Sequence, residues 1–177
     1  MDKYQTTIFE SVRFIGDFSF IEAYENSKAI KNCSDAEFLK AIDQLQSLCE
    51  KFYIMIEKEI PNHPADKFDD YRYKTFFKHG KPVSLSYGYH ISEKDTEVTD
   101  KEFCKLMMNK FQQFAKSNGF NIHHDIAQDT TYATDSSKYP DMLMALIIYE
   151  YYDHKDTHKD IYRADIAIGS TFTWIKK

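Results

Sequence analysis

Over residues 142–175 the hydrophobic pattern has a period of two. Tyr162, Ala164, Ile166, Ile168, Phe172 and Trp174 fall at every second position, broken only by Ser170. Side chains alternate faces along a strand, so this spacing predicts a strand over 161–175 with one apolar face. The preceding segment, 142–152, is apolar on both faces. Leu143, Ala145, Ile147, Tyr149 and Tyr151 take one, and Met144, Leu146, Ile148 and Tyr152 the other. A strand of that kind belongs inside a sheet. The two strands form a C-terminal hairpin around the polar loop Asp153–Asp160.

The clearest helical period lies earlier. Phe38, Ile42, Leu45, Cys49, Phe52 and Ile56 follow steps of four and three residues, widened by Leu39, Leu48 and Tyr53. Ser34 and Glu37 form a capping box ahead of them, and Pro61 and Pro64 follow, so the pattern predicts a helix over 35–59. The stripe suits either a coiled-coil seam or a helix packed on its own domain. The short run of heptads favours the second. Residues 1–33 read as two short helices, one around Ile8, Phe9, Val12 and Ile15, the next opened by Ser19 and Glu22. Residues 65–79 read as a helix stopped by Gly80.

Beyond 82 the period returns to two. Val83, Leu85, Tyr87, Tyr89 and Ile91 predict a strand over 83–91. Thr99 and Glu102 open a helix over 100–117 with the apolar face Phe103, Leu106, Met107, Phe111 and Phe114, closed by Gly119. Phe120, Ile122, His124 and Ile126 predict a strand over 120–127. A helix between two strands suggests a crossover that sets them parallel. Residues 128–141 are polar and turn-rich, and read as a long irregular loop.

These elements describe an α+β fold. N-terminal helices pack on a mixed, mostly antiparallel sheet of about four strands with a C-terminal β-hairpin. At 177 residues the chain reads as a single domain, 1–177, mainly helical to residue 80 and sheet-forming with one crossover helix from 81.

Composition narrows the function classes. The net charge of −5 argues against non-specific nucleic-acid binding. Three cysteines, Cys33, Cys49 and Cys104, with no Cys-x-x-Cys pair, suggest a reducing, cytoplasmic setting. The first residues lack the basic start and apolar core of a signal peptide. The longest apolar run, Met142–Tyr149, is far short of the roughly 20 residues of a membrane helix. The five glycines are too scattered for a phosphate-binding or dinucleotide loop, and no cofactor or metal motif is present.

Three function classes remain. Thirteen tyrosines in an acidic chain without cofactor motifs suggest a small protein-binding module without catalysis, of the inhibitor, immunity or adaptor kind. Its expected binding residues are Tyr132 and Tyr139, with Tyr71 and Tyr73 as a second surface. An acid–base or metal-dependent hydrolase would use the polar sheet face. There His123 is the general base, Asp125 its orienting partner and Arg163 the anion stabiliser, with Asp165 beside it and His90 completing a proton-transfer or metal set. A nucleic-acid binder would use the basic aromatic stretch 67–81. His124 falls on the apolar face and reads as a core histidine, and His154 and His158 read as a solvated hairpin tip.

Overall fold

The computed structural model describes residues 29–59, 71–72, 86–93, 96, 98, 100–127, 129–153 and 159–176. Helix α1 spans Asp35–Glu59, as the stripe requires. Its start is held by reciprocal capping. The Ser34 N–H and hydroxyl donate to Glu37 Oε2 at 2.8 and 2.9 Å, and the Glu37 N–H donates to Ser34 Oγ at 3.3 Å. The backbone bond from Ser34, then its hydroxyl, holds the Glu37 carboxyl below its ordinary pKa. Phe38, Ile42, Leu45, Cys49, Phe52 and Ile56 are all buried. They serve the chain's own core, so the stripe is not a coiled-coil seam.

Helix α2 spans Asp100–Ser117. Phe103, Met107, Phe111 and Phe114 are buried, and Leu106 is half-buried. Gly119 ends the helix at φ +78°. Its N–H donates to the Lys116 carbonyl and the Phe120 N–H to the Ala115 carbonyl, each at 3.0 Å. This pair of bonds satisfies two terminal carbonyls and needs a left-handed residue, which glycine adopts at no steric cost.

A six-stranded sheet carries the helices. Its strands are β2 (Tyr71–Arg72), β3 (Ser86–Ser92), β4 (Asn121–Asp125), β5 (Thr130–Thr134), β6 (Met142–Asp153) and β7 (Lys159–Ser170). Their order is β2-β3-β7-β6-β5-β4, and every neighbouring pair is antiparallel. Strand β1 (Ala29–Cys33) pairs in parallel with β8 (Phe172–Lys176) as a separate two-stranded sheet. The β6–β7 hairpin is the longest pairing, running from Met142 opposite Ser170 to Asp153 opposite Lys159.

The core lies between the helices and one face of the sheet. Tyr89, Ile91, Ala164, Ile166, Ile168, Met142, Met144 and Leu146 line that face. Phe52 of α1 joins the layers, with ring centroids 5.0 Å from Tyr89 of β3 and 5.3 Å from Phe114 of α2. Each fully buried side chain of this size contributes about 1.5–3 kcal/mol of transfer free energy. The opposite face is also buried at its centre, where Ala145, Asp165, Ala167 and Gly169 lie.

Several expectations need correction. Residues 128–141 are not one loop, because β5 lies inside them. Its β-branched Thr130 and Thr131 are buried despite their hydroxyls. The strand expected over 161–175 is two strands. The chain leaves the sheet at Thr171, whose N–H and hydroxyl both donate to the Asp141 carbonyl at 2.9 and 3.1 Å. Strands β3 and β4 run in the same direction, as the crossover implied, but they are not neighbours, since β7, β6 and β5 lie between them. Tyr71 and Arg72, expected in a helix, are a short strand on β3, and residues 29–33, expected in a helical region, are β1. The expected helices over 1–28, and Thr99 of the second capping box, lie outside the described residues.

Candidate functional site

The polar sheet face divides into two separate places. On the central strands, the register sets Asp165 opposite His90 on one side and Ile147 on the other. Arg163 lies between Ser92 and Tyr149 in the same way. Arg163 Nε donates to Asp165 Oδ1 at 2.8 Å and Nη2 to Oδ2 at 3.0 Å. The Tyr149 hydroxyl donates to Oδ2 at 2.9 Å, and the guanidinium carbon sits 4.9 Å from the centre of the Tyr149 ring. Arg163 is 4% exposed and Asp165 0%. These two groups were expected on an open polar face, and they are buried instead. The Asp165 carboxylate accepts from both forks of Arg163 and from Tyr149, three of the roughly four donors such a group can take. This cluster is a buried ion pair.

His123 and Asp125 lie elsewhere, on β4. They share a face, as parity requires, but His123 is exposed and Asp125 Oδ1 accepts the Ala127 N–H at 2.9 Å, closing a local turn. Four inter-strand steps of about 4.8 Å place β4 about 19 Å from β3. His90 on β3 therefore does not join His123 and Asp125, and Arg163 on β7 is about 14 Å away from them. The expected acid–base or metal set is not assembled. Among the described residues no group of three or more His, Cys, Asp or Glu side chains is placed to hold a metal ion.

The tyrosines also separate. Tyr139 is 6% exposed and belongs to the core. Its ring stacks on Phe120 at 6.4 Å, Lys51 Nζ donates to its hydroxyl, and Ser47 Oγ lies 3.3 Å from the same oxygen. It pins the segment after β5 to α1, so it is not a surface anchor. Burial pushes its phenol up, but the bonds from Lys51 and Ser47 and the charges of Lys51 and Lys138 outweigh this and leave it lowered. Tyr132 is half-buried on β5, in register between His123 and Ala145. Burial, then the Asp125 charge, raises its phenol. Tyr71 pairs with Gly88. Tyr73, His154 and His158 lie outside the described residues, as does the stretch 67–81 apart from Tyr71 and Arg72.

The remaining feature was not visible in the periodicity. Among the described residues β4 has one strand neighbour, β5, and among them its other side is a sheet edge. Asn121, His123 and His124 are exposed, and Ile122 and Asp125 partly so. His124 is on the helix side of the sheet, as expected, but the edge leaves it exposed rather than in the core. Its Nδ1 lies 3.1 Å from Thr131 Oγ1 and its Nε2 3.7 Å from Asp129 Oδ1. Ile126, just beyond the strand, is 86% exposed. An edge strand shows a row of backbone donors and acceptors, which proteins commonly guard with Lys, Pro or a bulge. The sequence Asn-Ile-His-His-Asp carries neither Lys nor Pro. Among the described residues the other edge of the sheet is β2, Tyr71–Arg72.

Searches of protein-family models, of curated proteins and of solved structures returned no match. No helix among the described residues is long and apolar enough to cross a membrane.

Proposed function

We propose that this chain is a protein-binding module without catalysis, of the inhibitor, immunity or adaptor kind, which takes an extended segment of a second polypeptide chain onto β4. The observation that carries the reading is the exposed five-residue edge, flanked by exposed Ile126 and by Tyr132. Strand addition draws affinity from main-chain hydrogen bonds and specificity from alternate side chains. Ile126 offers an apolar contact at one end of such a segment. A reducing cytoplasmic setting goes with this reading, since the sequence holds three cysteines and no Cys-x-x-Cys pair.

Proline tests it, because an edge strand tolerates proline where the N–H faces outward. Peptides selected on the full chain from a displayed library are measured against Ile122→Pro and His123→Pro. Neighbouring N–H groups point opposite ways, so one of the two substitutions removes an outward donor. The expected result is at least a tenfold loss of peptide affinity in that variant, with its circular dichroism unchanged. Peptides that bind both variants as well as wild type would reject the β4 edge.

A further inference from the structure

We infer that the segment accepted by β4 is β4 of a second copy of this chain, in an antiparallel two-fold pairing centred on His123. This rests on the strand-addition reading and names its partner. An isologous two-strand interface needs a sequence that is self-complementary when reversed. In Asn121–Asp125 the two-fold sets Asn121 opposite Asp125 of the other copy, Ile122 opposite His124, and His123 opposite itself. The Asn121 amide can donate to the facing Asp125 carboxylate at each end. The two Asp125 carboxylates are then four residues apart along the strand, about 14 Å at 3.4 Å per residue. That exceeds the Debye length of about 8 Å at physiological ionic strength. A parallel in-register pairing would bring the same carboxylates to about 5 Å. Charge thus selects the antiparallel arrangement. Ile126, 86% exposed, comes to the end where the other copy's strand begins.

A five-residue strand pairing is small beside the roughly 800 Å² per partner of a standard interface. The dimer is therefore weak and concentration-dependent. Register-specific cross-linking suits it. Opposed residues in an antiparallel pair have Cα atoms about 4.5–5.5 Å apart, within disulfide range. In the full chain, His123→Cys is compared with Ile126→Cys under mild oxidation. Both sites are exposed, but only position 123 faces itself. The expected result is intermolecular cross-linking at 123 at least tenfold faster than at 126. His123→Asp, which opposes two carboxylates at the two-fold, should lower the dimer fraction in sedimentation of the 20.9 kDa chain.

Equal rates at 123 and 126, or faster cross-linking of Asn121→Cys than of His123→Cys, would overturn the inference. The two readings fail separately. A chain that binds selected peptides through β4 but cross-links no faster at 123 keeps strand addition and loses self-pairing. A chain that does neither loses both.

Discussion

Replacing Asp165 by alanine tests the energetics of the central strands. Asp165 is 0% exposed, and its two oxygens take both forks of Arg163 and the Tyr149 hydroxyl. Asp165→Ala leaves a guanidinium that is 4% exposed without its carboxylate. Removing one partner of a buried pair costs about 3–5 kcal/mol. For a chain of this size that is a fall in Tm of roughly 6–20 °C. Typical stabilities of about 5–15 kcal/mol leave most of that range measurable. Replacing both partners with apolar groups behaves differently, since neither charge then has to be desolvated. Arg163→Met with Asp165→Leu should lie within about 2 kcal/mol of wild type. Tyr149→Phe keeps the ring beneath the guanidinium and removes one donor to a charged acceptor, at about 1.5–3 kcal/mol. Urea unfolding followed by circular dichroism at neutral pH gives all three values. A cost below about 1 kcal/mol for Asp165→Ala, or a double variant as unstable as the single one, would refute the argument that this pair is desolvated and mutually dependent.

Other substitutions probe the local devices. Gly119→Ala places a Cβ 2.6 Å from Ser137 Oγ at φ +78°, so it should cost more than about 1 kcal/mol, and adding Ser137→Gly should recover the steric part in the same unfolding assay. Ser34→Ala removes the cap of α1, at about 1 kcal/mol. Because Glu37 is depressed in the folded chain, the stability difference between wild type and Glu37→Ala should be full above about pH 4.5 and vanish as pH falls through the lower folded value, seen in unfolding curves from pH 7 to 3. Burial pushes the Cys49 thiol up to about 12, so native-state labelling at pH 8 should leave Cys49 unmodified until denaturant is added, while half-buried Cys104 reacts first.

What could be read from the chain depended on whether it was local. Helix α1 was legible to the residue because its cap and stripe lie within 25 consecutive positions. The faces of β6 were legible for the same reason, parity being a property of one strand. Strand β5 was not, because Thr130, Thr131 and Thr134 count as polar although β-branching suits them to a strand between β4 and β6. The break at Thr171 left no trace either, since Phe172 and Trp174 keep the parity of Ile168 after the chain changes sheets. The expected catalytic set went wrong at the same step. His123, Asp125, Arg163 and Asp165 were placed correctly by face, but a face says nothing about neighbours, and strand order put β4 at the rim and β7 in the middle. Tyr139 reads as a surface residue from its polar sequence neighbours, but its surroundings in space are Phe120, Ser47 and Lys51. The edge itself follows only from strand order.

Amide exchange along β4 tests that edge most directly. An open edge paired only with β5 has alternate N–H groups pointing inward to the ladder and outward to water. In dilute wild-type chain, the outward amides of Asn121–Asp125 should exchange quickly while their alternate neighbours are protected. The fast set should become protected as chain concentration rises, and should stay fast in His123→Asp. Protection of all five amides at the lowest concentration would mean that the edge is already covered within one chain, which contradicts strand addition at β4.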